Sequence, residues 1–311
     1  MAKPGSDDRA LIWAQVGTGD IQRQRGNLGS ALTTYQGAQA TIRRLTQSDP
    51  GNTLWQRDLA VSYDKIGEGQ VAQGDRAGAL KSYRDSLAIF ERLAQSDPGN
   101  ADWQRDLSVS YGNVGDGQVA QGDLTGALKT FRDDLAIAER LAQSDPGNAD
   151  WQRDLSVSLH RVGDVQEAHG DLAGALKSYR DSLAIAERLA QSDPGNARWQ
   201  RDLSVSYDKV GNVQVAQGDL AGALKSYRDD LAIAERLAQS DPGNAGWQHD
   251  LAVRYAKLAE VYRRSNKPGE ALAALRQGEA IMARLAKLSP DNTGWKRDLS
   301  WFDNQIAALT K

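Results

Sequence analysis

The sequence predicts an all-α solenoid of six stacked helix pairs closed by one further capping helix. Three observations carry this. Trp55, Trp103, Trp151, Trp199, Trp247 and Trp295 recur at a constant interval of 48, and so do Pro50, Pro98, Pro146, Pro194, Pro242 and Pro290. Within each period, apolar residues fall at helical spacing twice, on either side of a Gly-Asp pair. No linker, low-complexity run or composition break interrupts the array. A fixed period of this length means that each unit buries its apolar face only against its neighbours, so the core grows along one axis.

The third period shows how each element arises. Trp103, Leu107, Tyr111 and Val114 are spaced 4, 4 and 3 and share one helical face, predicting a helix over 101–121. Asn100 is the expected N-cap, its side-chain oxygen accepting an orphan backbone N–H. Gly122 supplies the left-handed residue that stops the helix, and Asp123 caps the next. That second helix is expected over 124–144, with Ala127, Leu128, Phe131, Leu135, Ala138 and Leu141 inward. Lys129, Arg132, Asp133, Glu139 and Arg140 form its wet face. The turn Asp97-Pro98-Gly99-Asn100 joins periods: proline presets φ and lacks a donor, and glycine tolerates positive φ.

Carried along the chain, this gives repeats at 7–52, 53–100, 101–148, 149–196, 197–244 and 245–292, followed by a cap helix within 293–311. The cap has Trp295, Leu299, Phe302, Ile306 and Leu309 on one face and no partner helix after it. Residues 1–6 are expected to be a disordered lead, and 7–311 one domain.

Composition narrows the function. The 311 residues carry a net charge of −3 with acids and bases interspersed, which argues against a nucleic-acid binder, since that needs an unbroken basic stripe. There are no cysteines, excluding disulfides, thiolate metal sites and cysteine nucleophiles, and fitting a cytoplasmic location. A bilayer span takes roughly 20 consecutive apolar residues, and no run approaches that, so no membrane span is expected. No signal-peptide core appears at the N-terminus. His160 and His169 lie nine apart on different helical faces, which speaks against a shared metal, and His249 stands alone. Neither a phosphate-binding loop nor an acid–base–nucleophile constellation is present. No enzyme activity, metal or cofactor is expected.

At this point the residues resemble the tetratricopeptide repeat (TPR) family. The glycine row Gly19, Gly67, Gly115, Gly163 and Gly211, continued as Ala259 and Ala307, is followed twelve residues later by Ala31, Ala79, Ala127, Ala175, Ala223 and Ala271. Four further on come Tyr35, Tyr83, Phe131, Tyr179, Tyr227 and Leu275. The family spaces these markers alike in a shorter unit, of about 34 residues. Here two insertions of seven lengthen both helices by nearly two turns each, which preserves the apolar face. A second departure is the row Gln22, Gln70, Gln118, Gln166 and Gln214, where the family usually has tyrosine; if buried, these amides need hydrogen-bond partners.

The resemblance implies a right-handed superhelix whose first helices line a concave groove, and a non-catalytic module that holds a protein segment there. It also implies membership of a larger bacterial regulatory chain, as receptor or regulatory module. The groove face would carry a basic row, Arg57, Arg105, Arg153, Arg201, His249 and Arg297. An acidic row, Asp20, Glu68, Asp116, Asp164, Asn212 and Glu260, lies three turns up, about 16 Å away at 1.5 Å per residue. Between the rows stand Asp64, Gly112, His160 and Asp208, in place of the Lys and Asn of the family's carboxylate clamp. Together with Glu167 these are the candidate groove residues; the alternative is that each arginine pairs with an aspartate such as Asp58 or Asp106 of an adjacent unit. First helices vary more than second helices, whose differences are mild, such as Ser/Thr and Ser/Asp. Trp13 and Trp301 replace the Val61, Val109, Val157, Val205 and Val253 row at the ends. They cap a monomer or, in the alternative, mediate end-to-end self-association.

Overall fold

The structure, a computed structural model, describes residues 6–310, the side chains of Ser6 and Asp7 excepted. Most of the expected disordered lead, residues 1–5, lies outside the described residues. Thirteen α-helices are described: α1 (Ser6–Gln24), α2 (Leu28–Ser48), α3 (Thr53–Gln73), α4 (Arg76–Ser96), α5 (Ala101–Ala120), α6 (Leu124–Ser144), α7 (Ala149–Ala168), α8 (Leu172–Ser192), α9 (Ala197–Gln217), α10 (Leu220–Ser240), α11 (Ala245–Arg264), α12 (Pro268–Leu288) and α13 (Thr293–Leu309). The chain divides into two compact units, α1–α7 and α8–α13.

Helix boundaries follow from the punctuation. Asn100 accepts from the Trp103 N–H at 3.1 Å, and Asn52, Asn148, Asn196, Asn244 and Asn292 cap α3, α7, α9, α11 and α13 likewise. Asp75, Asp123, Asp171 and Asp219 accept from the N–H of Gly78, Gly126, Gly174 and Gly222, each at 2.9 Å. At Gly78, Gly126 and Gly222 a side chain would crowd the cap itself. A Cβ at Gly126 would meet the Asp123 carboxylate and stand 2.8 Å from Gln118 Nε2.

In the first unit, consecutive helices pack in order. Its largest core cluster runs from Ala60 on α3 through Ile89, Phe90 and Leu93 on α4 and Leu107 on α5 to Leu141 on α6, with Trp103, Tyr111 and Trp151 packed against it. The first helices also touch their counterparts one repeat on, α1 against α3 and α5 against α7. In the second unit, Ala223, Tyr227, Leu258, Val261 and Ala271 form one cluster. Ala252, Leu275, Met282 and Phe302 form another beneath the cap helix. Phe302 is 3% exposed, so α13 covers the last helix pair as expected of a cap.

The glutamine row is satisfied. Gln22, Gln70, Gln118 and Gln214 accept from the hydroxyls of Thr34, Ser82, Thr130 and Ser226, twelve residues on, at 2.7–2.9 Å. A second row links successive repeats: the Gln152 amide donates to the Ala142 carbonyl, Gln200 to Ala190 and Gln248 to Ala238, at 3.0–3.2 Å. These bonds add directional constraints to an apolar interface that would otherwise tolerate sliding.

Candidate functional site

The face of each first helix expected to line a groove is set by the spacing of its own residues. On α3 it carries Arg57, Val61, Asp64 and Glu68, and on α5 Arg105, Val109, Gly112 and Asp116. On α7 it carries Arg153, Val157, His160, Asp164 and Glu167. In the second unit α9 presents Arg201, Val205, Asp208 and Asn212, and α11 presents His249, Val253, Ala256 and Glu260. Arg297 and Trp301 continue these rows on α13.

The basic row is joined to the neighbouring repeat. Arg9 binds Asp58, Arg57 binds Asp106 and Arg105 binds Asp154, each through the guanidinium Nε at 2.5–2.7 Å. His249 Nε2 lies 3.0 Å from Asp298 Oδ2 in the same register. The partner is always the aspartate that follows the equivalent position of the next repeat. The hydrogen bond to Asp106 holds the Arg57 guanidinium above its usual range, against the opposing effect of burial. Arg153 is half-buried on α7 and also engaged, and Arg201 lies exposed on α9.

The acidic row is occupied by a set of cations that sequence reasoning passed over. Lys65, Arg161, Lys209 and Lys257 recur at one position of the period, with Asn113 standing in the second member's place. Lys65 Nζ reaches Asp20 at 3.3 Å and Arg161 reaches Asp116 at 3.1 Å. Lys257 reaches Asn212 at 3.1 Å and also binds Asp208. Three of them also sit above an aromatic ring of the alanine-tyrosine motif: Arg161 over Phe131, Lys209 over Tyr179 and Lys257 over Tyr227, at 5.7–5.9 Å. Glu68 takes Arg23 and Lys65, both at 3.3 Å, and Glu260 pairs with Arg263 on its own helix at 2.8 Å. His160, Asp164 and Glu167 on α7 are likewise engaged. The sequence does carry a signal for this row: a cation stands three residues before Glu68, Asp164, Asn212 and Glu260, one step off the groove stripe.

The Ser/Asp exchanges on the second helices are less mild than expected. Ser86 and Asp134, at equivalent positions of successive repeats, are both fully buried, as is Asp230 in the second unit. Asp134 accepts from Ser108 and from Ser158, the latter at 2.8 Å, with Arg161 at 3.8 Å. Asp230 accepts from Ser204 and faces Arg254 at 3.2 Å; burial nevertheless raises its carboxyl to about 6.

Between α11 and α13 the groove face opens into a pocket of about 510 Å³. Ala252, Val253, Ala256, Met282, Trp301 and Phe302 make its apolar wall, while the His249–Asp298 pair, Lys257 and Glu260 stand around it. Ala256 occupies the position of Asp64, Gly112, His160 and Asp208, and with no polar side chain there this surface stays apolar. Trp301 packs edge-on against Phe302 at 5.0 Å and is still 43% exposed. Trp13, at the other end of that row, packs against the core cluster of α1–α3 with its indole N–H buried. Among the described residues no group of three His, Asp or Glu side chains is arranged to hold a metal, and no helix is long and apolar enough to cross a membrane.

Comparison with known proteins places the fold. No family model matches the chain, and no curated protein matches its sequence. Solved structures do. BtubC (BKLC) from P. vanneervenii superposes with a TM-score of 0.66 at 16% identity, over 83% of this chain and 92% of that one. The Signal Transduction ATPase with Numerous Domains (STAND) protein with a tetratricopeptide repeat sensor, from Pyrococcus horikoshii, gives 0.63 at 12% identity; it matches 96% of this chain, which spans 42% of that protein. A Rap protein complexed with Competence and Sporulation Factor gives 0.56 at 12% identity, over 96% of this chain and 76% of that one.

Proposed function

We propose that this chain, an all-α array of TPR-like repeats, is a non-catalytic protein-interaction module that holds a peptide or helix against its first-helix face. The observation that carries the proposal is the pocket between α11 and α13. It has the volume and apolar wall of a ligand site, with charged groups at its margin to orient what enters. A partner segment would seat an apolar side chain against Met282, Trp301 and Phe302. The Rap structure supports this reading, since a protein of similar fold is seen there with a bound factor. The STAND likeness supports a receptor or regulatory role within a longer chain, because the similar array is one part of that protein. The proposal treats residues 7–311 as one functional array working in the cytoplasm.

The test fills the pocket. Ala256→Arg projects a long cation into the apolar wall, whereas Arg92→Glu alters an exposed position on α4. Both serve as bait beside the wild type against lysate of the source cells, and a recovered protein is re-purified and titrated directly. A partner that binds wild type and Arg92→Glu alike but loses at least tenfold in affinity to Ala256→Arg supports the proposal. Equal binding to all three refutes the pocket as its seat.

End-to-end self-association is the alternative reading. Trp301 favours it by its exposure, whereas Trp13 is packed on its own core. Light scattering over a hundredfold range of concentration decides: a constant monomer mass removes it.

A further inference from the structure

The inter-repeat ladder of the first unit has one step without a cation. Lys65 reaches back to Asp20, and Arg161 reaches back to Asp116. Between them, at the same position of the period, stands Asn113, which has no charge to offer. Opposite it is Asp64, one turn below Glu68 on the groove face of α3. The second unit shows what the register holds when complete: there Asp208, the equivalent of Asp64, binds Lys257, the equivalent of Asn113.

The nearby cations are already engaged. Arg57 is held by Asp106, Lys65 bridges Asp20 and Glu68, and Arg23 reaches Glu68. Asp64 Oδ1 is buried and makes no well-formed hydrogen bond; the Ser86 hydroxyl on α4, a residue with no exposed surface, and the Asn113 side chain on α5 turn towards the carboxylate but offset only part of the effect of burial. A buried, unpartnered carboxylate oxygen is costly and calls for an explanation. The charged groups that face Asp64, Glu68 on its own helix and Asp106 on α5, are both acidic and add to the deficit.

We propose that this gap, formed by Asp64 on α3, Ser86 on α4 and Asn113 on α5, is a subsite for a cationic side chain, an arginine or lysine of the bound partner, which supplies the missing rung of the ladder. The inference rests on the partner-binding reading above and specifies its chemistry: the segment held by the first unit carries a basic residue. An arginine suits the geometry, because one edge of the guanidinium can donate to the Asp64 carboxylate while another donates to the Asn113 amide oxygen. The partner pays less desolvation here than at an exposed acid, since Asp64 is already removed from water.

The experiment needs no knowledge of the partner. N-acetyl-arginine amide is titrated into the full chain and followed by NMR at the Asp64 carboxyl and neighbouring amides, with N-acetyl-citrulline amide as the uncharged control. Free Asp64 titrates near 7, raised chiefly by burial. The bound cation should lower that midpoint by about 1–3 pH units. The arginine probe should therefore bind roughly eight- to thirtyfold more tightly at pH 8.5 than at pH 5.5, and the citrulline probe should show no such rise. Asn113→Lys supplies the rung internally: Asp64 should then titrate in the ordinary carboxylate range and the arginine response at these residues should vanish. Asp64→Asn should lose the response while keeping the helical fold. Equal binding of both probes, or an arginine response that persists unchanged in Asn113→Lys, overturns the subsite. Arginine binding here together with an indifferent Ala256→Arg bait would sink the pocket reading and leave this one standing.

Discussion

Substituting Gly211 by alanine should destabilise the protein, although alanine is the better helix former. Gly211 lies within α9, where an added Cβ would stand 2.5 Å from Cε1, 2.8 Å from Cδ1 and 3.1 Å from Cζ of Tyr227. Carbon pairs rest at about 3.5–4.0 Å, so the ring must retreat by roughly an ångström. It has nowhere to go. Tyr227 is 4% exposed, packs among Ala223, Leu258 and Val261, and donates its hydroxyl to Asn212 at 2.7 Å. Propensity favours the alanine by about 1 kcal/mol. Overpacking costs about 1–3 kcal/mol and a strained hydroxyl bond about 1 kcal/mol, so the net loss should be about 1–3 kcal/mol. Gly17→Ala is the matched control: it too is helical, nothing lies within 4 Å of its Cβ, and it should gain about 0.5–1 kcal/mol. Urea denaturation followed by circular dichroism compares the two. Repeat arrays depart from two-state behaviour, so hydrogen exchange across α9–α11 should locate the Gly211→Ala loss. A Gly211→Ala variant as stable as wild type would refute the close-approach argument for the whole glycine row.

Ser226→Ala leaves the Gln214 amide oxygen buried without its donor and should cost about 1–3 kcal/mol in denaturant; Ser226→Ala with Gln214→Met should recover most of it. A double-mutant cycle on Arg57 and Asp106, both in contact with solvent, should return a coupling of only about 0.2–1 kcal/mol that weakens in salt. Asp64 has a folded midpoint near 7 against 3.8 for the free side chain, so the folded state binds its proton more tightly. Its contribution favours folding below about pH 4 and is lost as pH rises towards 7. Asp64→Asn should therefore gain stability over wild type at pH 8 and flatten that stretch of the stability–pH curve, which denaturation at a series of pH values would read.

The fold was legible because the same information is written six times. Caps at Asn100 and Asp123, the stop at Gly122 and the apolar stripes each act within a few residues, and repetition separates them from accident. The cap helix was equally plain, since the face running from Trp295 to Leu309 had no later partner. The site was harder to read for a physical reason. The stripe through Arg105, Gly112 and Asp116 is defined on one helix at a time, whereas its charges are settled between the first helices of successive repeats. Whether Arg57 meets solvent or Asp106 depends on how repeats stack, which no single helical face reveals. The pocket escaped because its walls come from α11, α12 and α13 together, and because it depends on Ala256 offering no polar side chain there. Asp134 and Asp230 looked like surface variation because an acid on a second helix usually is; burial with serine partners from the adjacent helices reverses that.

Periodicity itself limits what the regular rows can do. A groove whose every repeat offered the same arginine, valine and acid would bind a partner equally well after a slip of one repeat, and no contact within the period could prevent it. Holding one register ten times more often than the next needs about 1.4 kcal/mol, and only a position that breaks the period can supply it. The paired rows, Arg57 to Asp106 or Arg161 to Asp116, stabilise stacking and are in any case engaged. Among the breaks are Asn113 where the neighbouring repeats have a cation, Ala256 at the position of Asp64, Gly112, His160 and Asp208, and Trp301 where most repeats have a valine. They leave features that the regular repeat lacks, a buried carboxylate without a cation in the first unit and an apolar pocket in the second. On the proposed groove reading, recognition that distinguishes one register from another draws on aperiodic positions such as these. Restoring the period at one of them, as Asn113→Lys does, should therefore loosen register as well as affinity.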